Sequence, residues 1–203
     1  MLLFVLWAFV SACFAVTGVD VSQAVSESAW KCLHGSKSFA VVRGYQSVGR
    51  VDPNAEANVR NAKAAGIPYV DVYLFPCVHC GDPAGQVRAL HASVSGYGMM
   101  WLDIEILSWG SEANNRVFIS EMIKEGKALG IKLGIYTNEN NWSNIVGVNW
   151  AGAADLPLWY AHYDGNPSFS DFKPFGGWTK PSIKQYHGSA TECGVGVDLN
   201  WYP

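Results

Sequence analysis

Charge is scarce in this sequence. Asp, Glu, Lys and Arg supply 15 % of its 203 residues, the formal net charge is −3, and Lys and Arg form no cluster. A nucleic-acid binder needs a basic footprint, so that class is set aside, and long-range capture of an anionic polymer is weak. Disorder is excluded as well, because 49 % of the residues are hydrophobic. After residue 15 no apolar run reaches membrane-spanning length. No Gly-x-Gly-x-x-Gly or phosphate loop follows an early strand, which removes support for nucleotide binding. His34, His79, His91, His162 and His187 fall in no Ser/His/Asp or Cys/His arrangement, so a nucleophilic triad is unsupported. No linker interrupts the chain, and its length suits one domain with a substantial core.

What is present begins with an uncharged apolar stretch, Met1 to Ala15, ending in small residues at Cys13 and Ala15. It is expected to be a secretory signal peptide, with the mature chain starting near Val16 and no membrane attachment thereafter. Its removal leaves Cys32, Cys77, Cys80 and Cys193, an even number for an oxidising compartment, so two disulfides are expected in one of three connectivities. Cys77-Val78-His79-Cys80 also has the look of half a zinc site or a redox pair. No second ligand pair follows, and no metal or cofactor is expected. Asn141-Trp142-Ser143 is a glycosylation sequon.

Short apolar runs alternate with capped, helix-like segments. Strands are expected at Gly18–Ser22, Phe39–Tyr45, Tyr69–Phe75, Met99–Ile104 and Lys132–Tyr136. Asp52-Pro53 and Asp82-Pro83 each offer an N-cap followed by Pro at the first helical position, opening helices that run to Gly66 and to about Ser95. Ser111 opens a third, closed by Gly130. Beyond a short helix at Asn141–Val146 the pattern turns to strands at Pro157–Tyr163, Ser182–Tyr186 and Val195–Asn200, separated by Gly-, Pro- and Ser-rich turns. Eight strands with helices mostly among the first five point to a parallel α/β barrel or an open doubly wound sheet.

The most informative segment is Trp101-Leu102-Asp103-Ile104-Glu105. A strand aims residues two apart at the same side, so both carboxylates enter one environment within an apolar run. Crowded, desolvated acids hold protons at higher pH than free ones, which is what general acid catalysis requires. The plain alternative is a strand whose acids reach water or pair with Arg or Lys. In a barrel, however, functional side chains gather at the C-terminal strand ends. Asp20 in the first strand and Asp198 in the eighth, adjacent on closure, then join Asp103 and Glu105 at one mouth.

These segments resemble glycoside hydrolase family 25, the Chalaropsis-type muramidases. The likeness is ordered along the chain: Gly18-Val19-Asp20-Val21-Ser22, Ala62-Lys63-Ala64-Ala65-Gly66-Ile67, Leu102-Asp103-Ile104-Glu105, Gly134-Ile135-Tyr136-Thr137, Leu158-Trp159-Tyr160-Ala161-His162-Tyr163, Gln185-Tyr186 and Val197-Asp198-Leu199-Asn200. The leader and cysteines resemble the secreted animal and protist branch. The resemblance implies an irregular TIM-like barrel of five βα units and three β-rich ones over residues 16–203. It also implies hydrolysis of the β-1,4 bond between N-acetylmuramic acid and N-acetylglucosamine in bacterial peptidoglycan, for defence or digestion. On the family pattern Glu105 protonates the leaving oxygen, and Asp103, Asp20 and Asp198 complete the acidic cluster.

Independent chemistry agrees in kind: a glycosidic oxygen leaves only when protonated, and an oxocarbenium-like transition state needs negative charge or an internal nucleophile beneath it. A substrate acetamido carbonyl is such a nucleophile if Asp103 holds its N–H. Tyr73, Tyr136, Trp159 and Gln185 are the expected substrate-binding residues, since sugars present flat C–H faces and hydroxyls to aromatics and amides. Tyr163 and Arg43 stand near and are not included. A monomer is expected. Rival readings are a chitinase-like hydrolase and a catalytically silent glycan-binding protein.

Overall fold

The computed structural model describes residues 15–105 and 108–203. The proposed leader therefore lies outside the described residues, apart from Ala15. Nine strands form one sheet: β1 (Val16–Val21), β2 (Phe39–Gln46), β3 (Arg50–Val51), β4 (Tyr69–Leu74), β5 (Met100–Asp103), β6 (Leu133–Thr137), β7 (Leu158–Ala161), β8 (Ile183–Glu192) and β9 (Val195–Tyr202). Five helices accompany them: α1 (Glu27–His34), α2 (Ala55–Ala64), α3 (Pro83–Ser93), α4 (Glu112–Ala128) and α5 (Glu139–Val146). The order is β1-β9-β8-β7-β6-β5-β4-β2-β3, and β1 also pairs with β2, so eight strands close a barrel with β3 as a hairpin flap on β2. This is the irregular TIM-like α/β domain expected, not the open sheet.

Strands β1, β2 and β4 to β8 run parallel, which buries both of their faces. Their outward faces pack on the helices through Val19, Val42, Val72, Leu102 and Ile135, all fully buried. Inward residues form a separate aromatic plug of Phe39, Val41, Trp101, Tyr136, Trp159, Ala161 and Ile183. Trp159 is its hub, with ring centroids 4.6 Å from Tyr136, 5.8 Å from Trp101 and 6.3 Å from Tyr73. Such large rings fit in a narrow lumen because facing positions are empty: a Cβ on Gly134 would lie 2.3 Å from the Trp101 ring, and one on Gly18 2.5 Å from Phe39.

Several boundaries differ from the sequence expectation, each for a tertiary reason. Helix α1, for which the residue pattern gave no sign, is capped by Ser26, whose Oγ accepts from the Ala29 N–H, and it buries Trp30 and Leu33. Helix α2 starts at Ala55 rather than at Pro53, and its N-cap Asn54 makes no side-chain cap bond. Asp52 is drawn elsewhere, accepting from Arg43 Nε at 2.7 Å and Gln46 Nε2 at 3.0 Å while its other oxygen turns the chain at the Asn54 N–H. The Asp82 and Ser111 caps hold, accepting from Gly85 and Asn114.

The eighth barrel strand, β9, is antiparallel to both neighbours. Its first half therefore faces the mouth, and the expectation that every functional acid sits at a C-terminal strand end is corrected for Asp198. The reversal follows from the tight β8–β9 hairpin, whose loop residues Cys193 and Gly194 have φ of 53° and 74°, the paired positive values of a type I′ turn. Cys193 is bridged to Cys32 at the end of α1, and Cys77 to Cys80, which resolves the open pairing.

Replacing Gly134 with Ala forces a methyl group into the Trp101 ring, and overpacking of this kind costs about 1–3 kcal/mol. Urea denaturation should show the unfolding free energy fall by that amount, with a lower midpoint at unchanged slope; an unchanged midpoint would mean that the lumen has room to spare.

Candidate active site

Asp20, Tyr73, Asp103, Glu105, Tyr136, Trp159, Tyr163, Gln185 and Asp198 line a single cleft with a cavity volume of about 120 Å³ at the barrel mouth. All eight residues singled out from the sequence are thus brought together. Asp20 and Asp103 come from the ends of β1 and β5, Glu105 follows β5, and Asp198 lies directly across the ladder from Asp20. Arg43 is absent from the lining; its guanidinium pairs with Asp52 and donates to the Ser22 carbonyl at 2.6 Å. Tyr163, which was set aside, belongs to the cleft.

Among the described residues no cation reaches this cluster. Neutral donors hold the acids instead. Asn200 Nδ2 donates to Asp20 Oδ2 at 2.6 Å, and Gln185 Nε2 donates to the same oxygen at 2.8 Å and to Asp198 Oδ2 at 3.3 Å. Gln185 is oriented in turn, its Oε1 accepting from the Tyr136 hydroxyl at 2.7 Å and the Tyr163 hydroxyl at 2.8 Å. Trp159 Nε1 orients Asn200 through its Oδ1 at 2.7 Å. The Ser189 N–H grips Asp198 Oδ1 at 2.6 Å, a position reached through two register shifts in β8 and a left-handed φ of 60° at Ser189. Asn200 and Ser189 were missed as supports. Asn200 sits in a segment that carried the family resemblance, whereas no local signal marks the bulged serine.

Burial without a counter-ion moves the acids. Burial first, then the Asp198 charge, lifts Asp20 to about 7. Burial, then Glu105 and Asp20, hold Asp103 well above the usual carboxylate range, and burial followed by Asp198 raises Glu105. Asp103 lines the cleft, and its Oδ1, sealed from solvent, has no hydrogen-bond partner among the described residues. Glu105 is only partly buried, within reach of an incoming bond.

Outside the lumen a charged knot fixes the segment that delivers Tyr163. Lys184 on β8 has no exposed surface, and its Nζ donates to Asp164 at 2.9 Å, Asp171 at 2.8 Å and the Ser168 carbonyl at 2.9 Å. Burial alone would raise Asp171, but bonds from Lys184, His162 and Tyr160 bring it down to about 2. His162, Asp164 and Asp171 cluster like metal ligands, yet the ammonium already fills their centre. Cys77, His79 and Cys80 cluster too, with both sulfurs spent in a disulfide.

A family model described as lysozyme-like protein 1 matches residues 11–186. The probable GH family 25 lysozyme 2 of Dictyostelium discoideum is 47 % identical over 208 residues, covering 100 % of this chain and 98 % of its own length. The chain belongs to glycoside hydrolase family 25. Lysozyme-like protein 5 of Caenorhabditis elegans is 44 % identical over 198 residues, covering 93 % of this chain and 92 % of that protein. Among solved structures, the bacterial lysozyme from Streptomyces coelicolor superposes with a TM-score of 0.77 at 26 % identity, over 93 % of this chain and 92 % of that one. The family GH25 lysozyme from Aspergillus fumigatus, at 21 % identity and the same TM-score over 94 % of each chain, shares the fold. This lysozyme is accordingly a glycoside hydrolase.

An acid whose folded-state pKa is raised stabilises the fold fully below its unfolded value, near 4, and loses that contribution as pH rises through the folded value. For Asp20 the window runs from about 4 to about 7. Asp20→Asn should match the wild type in stability at pH 4 and exceed it at pH 8 by a difference on the order of a few kcal/mol. Denaturation curves at both pH values check this, and an offset independent of pH would contradict the assignment.

Proposed function

We propose that this lysozyme hydrolyses the β-1,4 bond between N-acetylmuramic acid and N-acetylglucosamine of bacterial peptidoglycan, with Glu105 as general acid and then base. The single observation that carries the reading is the cleft, lined by no cation among the described residues, in which burial and then Asp198 raise Glu105, so that it holds its proton to a higher pH than a free carboxyl. Asp103, which lines the cleft, orients the substrate acetamido group by accepting its N–H. Held in this way, the acetamido carbonyl oxygen attacks the anomeric carbon as Glu105 protonates the departing oxygen. Water then opens the resulting oxazolinium while Glu105 takes back the proton, retaining the configuration.

Asp20 and Asp198 supply negative potential beneath the developing positive charge. That charge in turn favours ionisation of Asp20 and Asp103, whose burial makes them neutral in the empty cleft over much of the pH range. Tyr73, Tyr136, Trp159, Gln185 and the rim residue Tyr163 form the sugar-binding wall.

We further propose that residues 1–15 are removed as a leader and that the mature monomer works outside the cell or in a digestive compartment, with neither nucleic acid nor membrane as partner. Two disulfides and the absence of any helix long and apolar enough to cross a membrane among the described residues support this.

Glu105→Gln should abolish clearing of bacterial walls, a loss of at least about a hundredfold in kcat, with binding to peptidoglycan largely kept. Equal clearing by both proteins would contradict the role given to Glu105, and a wild type that clears no wall would leave only a glycan-binding role. Digestion of chitin in parallel separates the chitinase-like reading, which requires comparable turnover on both polymers. Proton NMR of the first-formed sugar checks the retaining path, which requires the β-anomer; an initial α-anomer would mean direct attack by water instead.

A further inference from the structure

The loop that leaves β4 at the barrel mouth carries reactive side chains that hydrolysis leaves unused: the Cys77–Cys80 bridge and, between its cysteines, His79. The two sulfurs are not equivalent. Cys77 is wholly buried, Cys80 and His79 are exposed, and His79 Nε2 stands 3.7 Å from Cys77 Sγ. We infer that this pair is a thiol–disulfide exchange centre, a chemical function separate from glycan hydrolysis, whose co-reactant is a small thiol.

Access fixes the order of bond changes. An incoming thiolate reaches the exposed Cys80, forms a new S–S bond to its sulfur and displaces Cys77 as the leaving thiolate. Gly49, in the turn between β2 and β3, leaves that sulfur free of any overlying side chain, since a Cβ there would come within 2.7 Å of Cys80 Sγ. His79, protonated at Nε2, donates to the departing Cys77 sulfur, and a stabilised thiolate leaves faster. A second thiol then attacks the co-reactant's sulfur in the mixed disulfide and releases Cys80. Two thiols are oxidised to one disulfide while the bridge takes up two electrons and two protons. The reverse sequence lets the dithiol reduce a foreign disulfide and close again.

Such a centre has to open without dismantling its host. Gln86 on α3 provides for that: its Oε1 accepts from the Cys77 N–H at 2.9 Å, and its Nε2 donates to the carbonyls of Cys77 at 2.8 Å and Gly81 at 2.9 Å. Both ends of the loop are thereby pinned independently of the sulfur bond. A cross-link steadies a fold by restricting the unfolded chain, the more so the longer the loop it closes. The ends of Cys77–Cys80 are 3 positions apart in sequence and those of Cys32–Cys193 are 161 apart, so the fold leans on the second bridge and hardly on the first.

The full chain with both bridges closed is incubated with reduced glutathione, quenched at intervals with N-ethylmaleimide and mapped by peptide mass spectrometry. Cys77–Cys80 should open at least about tenfold faster than Cys32–Cys193, passing through a species with glutathione on Cys80 and maleimide on Cys77, and oxidised glutathione should close it again. His79→Ala should slow the opening about fivefold, the scale of one hydrogen bond. The wild type should also speed the reduction of insulin by glutathione. A Cys77→Ser, Cys80→Ser double variant should not, while clearing bacterial walls as the wild type does.

Equal opening rates at the two bridges, glutathione on Cys77 in place of Cys80, or insulin reduction unimpaired in the double variant would overturn the assignment. Loss of wall clearing in that variant would overturn it too, by making the bridge a brace for the cleft. An unchanged rate in His79→Ala would remove the part given to the imidazole. Should the double variant not fold, the mapping on the wild type decides by itself.

Discussion

The structure turns on one arrangement: four carboxylic acids crowded at a barrel mouth where, among the described residues, no cation balances them. Side by side on adjacent strands, Asp20 and Asp198 are kept from flying apart by neutral donors, the amides of Gln185 and Asn200 and the N–H of Ser189. Neutral hydrogen bonds stabilise a carboxylate without quenching its charge. The cluster therefore keeps both its mutual repulsion and its appetite for protons, the two properties that acid catalysis on a sugar ether requires.

Those donors are themselves held from beneath. Tyr136 and Trp159, packed edge to face in the lumen, direct their polar ends at Gln185 and Asn200. The barrel interior thus serves twice, as an apolar plug that stabilises the fold and as the rigid platform for the site. Gly18 and Gly134 make room for the plug, since a Cβ at either would collide with an aromatic ring. The Lys184 knot plays a comparable part from outside, holding the segment that brings Tyr163 to the rim.

Membership of family 25 makes the chain a glycoside hydrolase, and the physical reading adds a division of labour within the cleft. On the proposed reading Glu105, partly open to solvent, exchanges its proton with substrate and water. On the same reading Asp103, buried at the end of β5 and lining the cleft, holds the substrate acetamido group.

Much of this was legible along the chain. Alternating apolar runs, the caps at Asp82 and Ser111 and the two-residue spacing of Asp103 and Glu105 are local properties, set by backbone geometry and burial, and they survive into the fold. Asp52 is the instructive exception: a sound cap signal was overridden because Arg43 and Gln46 competed for its oxygen across a strand pairing. The direction of the last strand, the partners of the four cysteines, the bulge that aims Ser189 at Asp198 and the arrival of Tyr163 at the rim all depend on residues far apart in the chain. Local pattern carries composition, periodicity and spacing. Which distant groups end up sharing a dry pocket, and hence how strongly each holds its proton, is a matter of barrel closure alone.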